Sequence, residues 1–191
     1  MLHIIENLTT LANNKRIHEL VLDRPWHYLK NTAYGSFTNN EQKYESSWQS
    51  ILFSNNEPTS DLFYLTESLL LAGLYKSNLT CSNLVRIRAG MMTRTPYPVI
   101  HDPHIDWESN HLTALYYVND SDGETIFYDE VWDENLKIPS WEWAKTQNFT
   151  IKEKICPKAD SLVIFNGLQF HSSSTPVNND HRIVLNFNWL P

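Results

Sequence analysis

The segment from His101 to Asp106 contains side chains of the kind that bind divalent metals. In an extended chain, residues two apart point to the same side about 6.6 Å apart, so His104 and Asp106 can approach one ion. A third candidate, His171, follows an apolar run and a turn. Two imidazoles and one carboxylate on one face of a transition metal leave other coordination positions open for reactants. The alternative is that His171 caps a polar turn with the serines at 172–174.

Other polar residues compete less well as metal ligands. His101 and Asp102 are adjacent, and adjacent residues of a strand face opposite ways. His111 begins the next predicted strand, and His181 precedes Arg182, so its side chain should leave the face that Arg182 occupies. We therefore expect none of these four residues to bind the metal.

Arg182 adds a cation to the same region, eleven residues after His171. A guanidinium in an enclosed cavity costs several kcal/mol unless an anion pairs with it. Its planar fork suits a carboxylate. A dicarboxylate that chelates the metal at one end and meets Arg182 at the other would account for both features, and 2-oxoglutarate has this shape.

The elements that must position these side chains change character near residue 80. Apolar residues at helical spacing predict two helices, at 8–22 and 62–75, after a short strand at 2–5. Later runs are rich in β-branched and aromatic residues and predict a series of strands. These strands are 84–88, 112–118, 124–128, 161–165 and 182–189. Helices followed by strands without intervening helices predict a mainly β fold with flanking helices.

Alternation within two of these strands predicts which way their side chains face. Arg86 and Arg88 lie on the face opposite Ile87. The last strand has one apolar face and one mainly polar face, made respectively by Ile183, Leu185, Phe187, Trp189 and by Arg182, Val184, Asn186, Asn188. Such strands separate a hydrophobic layer from a polar interior, so we expect a barrel or sandwich with a polar cavity.

The chain between Leu84 and Trp189 resembles the Fe(II)/2-oxoglutarate-dependent oxygenases, and within them the prolyl 4-hydroxylase-like branch. The motifs that carry the resemblance are His104-x-Asp106, the segment 115–120 leading into 122–127, the segment 164–167 before His171, and the segment 182–187. The resemblance implies a double-stranded β-helix, or jelly roll. It implies one domain over 1–191, with 1–80 as a helical support that buttresses the sheet and 81–191 as the catalytic core.

The resemblance also implies roles for single residues. His104, Asp106 and His171 would bind Fe(II), and Arg182 would pair with the distal carboxylate of 2-oxoglutarate, with O2 as the other reactant. Tyr117 would hydrogen-bond that same carboxylate. Further candidate contacts to the cosubstrate are Thr113, Asn186 and Arg88. Arg86 and Arg88 have two other possible roles, which are contact with the substrate and pairing with buried acids.

The implied activity is hydroxylation of an unactivated C–H bond, with a prolyl residue in a peptide or protein as the substrate suggested by the branch. Four alternatives remain. In the first, the substrate is a free amino acid or small metabolite. In the second, the protein is a cupin-like metal dioxygenase or isomerase without cosubstrate. In the third, it is a non-catalytic jelly-roll metal-binding module. The fourth, a nucleobase-repair oxygenase, is disfavoured, because that branch has a second arginine where Asn186 and Asn188 follow here.

Composition limits the partners and the location. The 191 residues include 22 acidic and 15 basic side chains, a net charge of −7, which argues against duplex nucleic acid or an anionic lipid surface as a partner. The chain has 2 cysteines, too few for a disulfide framework or a cysteine-rich zinc site. Because we find no long apolar run and no basic leader, we predict a soluble, cytoplasmic protein without a membrane span.

Residues 130–149 contain Trp132, Trp141 and Trp143 and are predicted to form an insertion between two strands. Long ordered insertions often cover active sites, and a surface excursion is the alternative. The sequence leaves the choice between these two open.

Overall fold

The computed structural model describes residues 2–33 and 46–191, which form three helices and two β-sheets. The helices are α1 (Leu11–Leu22), α2 (Leu62–Ser77) and α3 (Ser140–Ala144). The strands are β1 (Leu2–Ile5), β2 (His27–Leu29), β3 (Ser47–Ser54), β4 (Glu57–Pro58), β5 (Asn83–Thr93), β6 (Leu112–Tyr117), β7 (Thr125–Val131), β8 (Ile151–Ile155), β9 (Ser161–Asn166), β10 (Gln169–Ser173) and β11 (His181–Leu190).

The larger sheet has the strand order β1-β9-β6-β11-β5-β3-β2, with β4 paired to β3, and the smaller sheet has the order β10-β7-β8. All these pairs are antiparallel. Side chains of Tyr117 and Val184 from the larger sheet pack with Phe127 from the smaller one. The two sheets therefore form a sandwich, as the predicted jelly roll requires.

Helices α1 and α2 start and stop where local hydrogen bonds allow it. The Oγ1 atom of Thr10 accepts from the backbone N–H of Asn13, 3.2 Å away, which caps the first turn of α1. At the end of α2, Asn78 adopts a left-handed conformation with φ 55°. Its N–H donates to the carbonyl of Tyr75, so the terminal carbonyls of the helix are satisfied.

The outer face of the larger sheet packs against these helices. Ile17 and Val21 of α1 and Leu69 and Leu70 of α2 meet the apolar face of β11 in one core. On β11 the apolar residues Ile183, Leu185, Phe187 and Trp189 are fully buried in this core. The alternation predicted for this strand is therefore confirmed, and its polar face turns toward the smaller sheet.

Of the predicted insertion 130–149, residues 130 and 131 belong to β7, and the rest lies between β7 and β8 and contains α3. Trp132 and Trp143 pack with Tyr128 and Phe170 in a separate core. Tyr128 and Phe170 neighbour Phe127 and His171 in sequence, and neighbours in a strand point to opposite faces. The insertion thus covers the outer face of the smaller sheet.

Residues 1–80 contribute more than the helical support expected of them, because β1 to β4 all join the larger sheet. Met1 and residues 34–45 lie outside the described residues. The sequence analysis did not predict β3. Its buried positions do not alternate, since the pairing with β5 shifts between Ile51 and Phe53. Within the described ranges, none of the helices is long and apolar enough to cross a membrane.

We predict that Asn14→Ala lowers the free energy of unfolding by about 1–3 kcal/mol. The Asn14 amide is buried and donates to Tyr116 Oη at 2.9 Å and to the Val118 carbonyl at 3.1 Å, which ties α1 to the sheet. Chemical denaturation measures the loss. Asn13→Ala, at an exposed position of the same helix, is the control with little expected change. Equal losses in both variants would contradict this role for Asn14.

Candidate metal and cosubstrate site

Two backbone hydrogen bonds bring His104 and His171 together. The N–H of His104 donates to the His171 carbonyl at 2.9 Å, and the N–H of His171 donates to the His104 carbonyl at 3.0 Å. Directly paired residues of antiparallel chains project their side chains to the same face. The two imidazole centroids are accordingly 4.7 Å apart.

The same pairing continues upstream. The N–H of His101 donates to the Ser173 carbonyl, and the N–H of Thr175 donates to the Val99 carbonyl, at 2.9 and 3.0 Å. The segment 99–104 therefore runs alongside β10 as an added strand-like edge. This edge fixes the register that places His104 opposite His171.

Asp106 completes a group of three possible metal ligands with His104 and His171. The ligand atoms of the three residues lie within 4.8 Å of one another. His171 Nε2 is 3.9 Å from Asp106 Oδ2, and the Asp106 side chain is only 3% exposed. The sequence analysis named these three residues, and the structure brings all of them together.

The other polar candidates lie outside this group of three. The Nδ1 atom of His101 is 3.1 Å from the Ser173 hydroxyl. His111 Nδ1 bonds the Ser109 carbonyl. His181 Nε2 lies 3.3 Å from Nε2 of His18, on the helix side of the larger sheet.

Three hydrogen-bond donors and a more distant guanidinium surround the Asp106 carboxylate. Arg86 Nη2 donates to Oδ1 at 3.0 Å, and Arg88 Nη2 lies 3.7 Å from the same oxygen. The amide nitrogens of Asn186 and Asn188 donate to Oδ2 at 2.9 and 3.1 Å. Burial opposes ionisation, but Arg86 and the other neighbouring cations outweigh it and hold the pKa of Asp106 well below its usual range. The carboxylate is therefore ionised.

Both imidazoles of the group are neutral near pH 7. Burial lowers the pKa of His104 to about 4, and burial also lowers the pKa of His171. Each Nδ1 lies 3.1 Å from a backbone carbonyl, which can only accept, so Nδ1 carries the proton. The lone pair of each ring is then on Nε2. Two neutral imidazoles and one ionised carboxylate fit a first-row divalent metal such as Fe(II).

Arg182 is buried, with 3% of its surface exposed. Its Nε donates to the Gly123 carbonyl at 2.8 Å, and its Nη2 donates to Thr125 Oγ1 at 2.7 Å. No carboxylate of the described residues lies within 4.0 Å of this guanidinium. A buried cation without an anion is costly, so the site is suited to an anionic ligand.

Gly123 approaches Arg182 too closely for any side chain. A Cβ atom at this position would lie 2.6 Å from the Ser174 carbonyl oxygen and 3.0 Å from Arg182 Cδ. The glycine therefore lets the backbone carbonyl reach the guanidinium and fix its direction.

Thr125 is a further residue of this site, and the sequence analysis did not name it. Its Oγ1 accepts from Arg182 Nη2 and from the Tyr117 hydroxyl, the latter at 2.8 Å. Both acceptor positions of the hydroxyl are then used, so its own O–H is left to donate. Its position on β7, on the same face as Phe127, could have indicated that the hydroxyl points inward. Its contact with Arg182 could not be predicted from a local pattern, because Arg182 is 57 residues away in sequence.

One cavity between the sheets connects these groups. It is lined by His104, His171, Arg182, Thr125, Arg88 and Asn186, by apolar side chains including Leu115 and Val184, and on another side by Leu29, Trp48 and Gln49. The two histidines of the metal group and Arg182 therefore line the same cavity.

The four other residues predicted to contact the cosubstrate lie in different places relative to the cavity. Arg88 and Asn186 line the cavity, and both also face Asp106. Tyr117 lies behind Thr125 and reaches the cavity through that hydroxyl. Thr113 was expected to line the cavity, but it does not. Its buried Oγ1 accepts from Asn188 Nδ2 at 3.1 Å, and Asn188 in turn donates to Asp106, so Thr113 supports Asp106 indirectly.

No protein-family model and no curated protein matches this chain by sequence. Solved structures do match it. An oxidoreductase of the 2OG-Fe(II) oxygenase family from Burkholderia pseudomallei has 11% identity and a TM-score of 0.65, over 99% of this chain and 84% of that one. A Pseudomonas putida prolyl-4-hydroxylase has 12% identity and a TM-score of 0.59, over 100% and 92%. The chain has the 2OG-Fe(II) oxygenase fold.

A third similar structure contains bound molecules. HygX from Streptomyces hygroscopicus, with nickel, 2-oxoglutarate and hygromycin B bound, has 10% identity and a TM-score of 0.62, over 100% of this chain and 82% of that one. The predicted jelly roll with flanking helices is therefore confirmed.

We predict that the metal-free protein loses stability as the pH falls from about 6.5 to 4. His104 resists protonation in the folded state, whereas in the unfolded state its pKa is near 6.5, so acid favours unfolding. The His104 contribution is about 3 kcal/mol at pH 4. Denaturation at several pH values measures it, and His104→Asn should flatten the pH dependence. The same slope in both proteins would show that His104 is not the group responsible.

Proposed function

We propose that this protein is an Fe(II)- and 2-oxoglutarate-dependent dioxygenase that hydroxylates an unactivated C–H bond. The observation that carries the proposal is the shared cavity. Two neutral imidazoles, which form a group with the ionised Asp106 carboxylate, line the same cavity as Arg182, a buried guanidinium with no carboxylate of the described residues close to it. A chelating dicarboxylate satisfies both ends.

His104, Asp106 and His171 would hold the metal. When bound, Fe(II) would supply the O2 chemistry that oxidises 2-oxoglutarate to succinate and CO2 and hydroxylates the substrate. The carbonyl contacts of the two Nδ1 atoms place the proton on Nδ1 and the lone pair of each ring on Nε2. The amides of Asn186 and Asn188 hold the carboxylate in a fixed orientation.

Arg182 and Thr125 would bind the distal carboxylate of 2-oxoglutarate. The Gly123 carbonyl and the Thr125 hydroxyl fix the guanidinium before any ligand arrives, so little side-chain entropy is lost on binding. Thr125 adds its own O–H donor, and Tyr117 orients it from behind. This arrangement disfavours a cupin-like enzyme without cosubstrate and a purely structural metal site, since neither needs a buried arginine here.

The substrate is a prolyl residue or a small molecule. The prolyl-4-hydroxylase among the similar structures supports the first, and HygX with hygromycin B bound supports the second. The test is a substrate panel in which succinate is measured with Fe(II), 2-oxoglutarate and O2 present. The panel contains proline peptides, free amino acids and nucleotides. Succinate formation that requires both Fe(II) and a panel member is expected.

We predict that His171→Ala abolishes succinate formation and weakens Ni(II) binding at least tenfold, because one of three ligands is lost. Calorimetric titration with Ni(II) measures the binding independently of turnover. His27→Ala, at an exposed histidine of β2, is the matched control with unchanged binding. Unchanged Ni(II) affinity in His171→Ala would remove this residue from the metal site.

We predict that Arg182→Met weakens 2-oxoglutarate binding about 10- to 100-fold, because hydrogen bonds to a charged group are lost. Affinity for Ni(II) should stay within about twofold, since Arg182 is not among the proposed metal ligands. Titration of the Ni(II)-loaded protein with 2-oxoglutarate measures the change. Arg16→Met, at an exposed arginine of α1, is the control. Equal 2-oxoglutarate affinity in wild type and Arg182→Met would refute the assignment of the distal carboxylate.

A further inference from the structure

Arg88 is a second cation of the cavity that lacks a hydrogen-bonded anion. Its Nη2 lies 3.7 Å from Asp106 Oδ1, which is beyond hydrogen-bond distance. Its Nε is buried and has no hydrogen-bond partner among the residues that the structure describes. The side chain lines the cavity and is 24% exposed. Arg88 therefore has donors to offer to a ligand.

Asp106 pairs more closely with other donors than with Arg88. Its Oδ1 already accepts from Arg86 at 3.0 Å, and its Oδ2 accepts from Asn186 and Asn188. A metal held by this carboxylate would take a further share of its charge. Arg88 is thus the less well paired of the two arginines on the inner face of β5.

The charged side chains that the structure describes around the cavity do not balance. They are three arginines, Arg86, Arg88 and Arg182, and one carboxylate, that of Asp106, which leaves two positive charges in excess. A divalent metal and the dianion 2-oxoglutarate cancel each other. The excess positive charge therefore persists when metal and 2-oxoglutarate are bound. It attracts an anionic substrate, although the whole chain has a net charge of −7.

Space for such a substrate lies beside Arg88. Gly90 is the next residue on the inner face of β5, and among the described residues a Cβ atom there would meet only Val184 Cγ2, at 3.6 Å. Gln49 of β3 pairs with Gly90, and Trp48 and Gln49 line the cavity on this side. The space beside Gly90 is thus bordered by the guanidinium of Arg88 and by the indole ring of Trp48.

We propose that Arg88 binds a carboxylate of the primary substrate, which makes the substrate class small carboxylic acids, free amino acids among them. A carboxylate matches the planar guanidinium, whereas an internal prolyl residue of a peptide has no anion to offer. This inference rests on the proposed function and selects between its two substrate classes.

The experiment uses Ni(II)- and 2-oxoglutarate-loaded protein and calorimetric titration. The probes are the common free L-amino acids, each compared with its own carboxamide. We expect at least one acid to bind about tenfold or more tightly than its amide, and we expect Arg88→Met to remove this preference. Arg88→Lys, which keeps the charge, should retain part of it. Arg94→Met, at an exposed arginine that directly follows β5, is the matched control and should keep all of it.

Three results would overturn the inference while leaving the proposed function in place. These are equal binding of acids and amides, binding of none of the acids, and a preference that survives in Arg88→Met. A fall in 2-oxoglutarate affinity in Arg88→Met, in place of a change in probe binding, would make Arg88 a cosubstrate contact and would also overturn it. Wild-type protein that binds neither Ni(II) nor 2-oxoglutarate would refute both proposals.

Discussion

The pairing of His104 with His171 through two backbone hydrogen bonds is the constraint on which the site depends. These residues are far apart in sequence, and only the alignment of the segment 99–104 along β10 brings their imidazoles to 4.7 Å. Because the pairing involves backbone atoms, it is independent of the side chains that it positions. Asp106 then needs only to follow two residues later to reach the same face.

The inner face of the larger sheet carries charged groups at two separate ends. In the register of β5 and β11, Arg86 lies opposite Asn188 and Arg88 opposite Asn186, and all four side chains face Asp106. Arg182 lies opposite Met92 at the other end of the same face. An uncharged layer made by Val184 and Gly90 separates the two ends. A ligand that spans this layer contacts both.

Alternation was the strongest signal in the sequence, and it predicted the two faces of β11 and the inward direction of Arg86 and Arg88. The three candidate metal ligands could also be predicted from the sequence, because a His-x-Asp pair and a later histidine follow simple strand geometry. Strands β3 and β10 were harder to predict. A shifted register disturbs the pattern of β3, and β10 contains polar residues that also suit a loop. Thr125 and the donors around Asp106 depend on contacts between residues distant in sequence, which no local pattern encodes.

The place of β3 in the larger sheet has a consequence for how such a protein can change. Trp48 and Gln49 belong to a strand near the sheet edge, and they touch neither the three candidate metal ligands nor Arg182 through any hydrogen bond among the described residues. Substitutions in this strand can change the shape of the cavity on the side of Trp48 and Gln49 while the candidate metal ligands and Arg182 stay unchanged. Under the proposed function, selectivity for the substrate can therefore be altered in β3 without substitution of the metal ligands or Arg182.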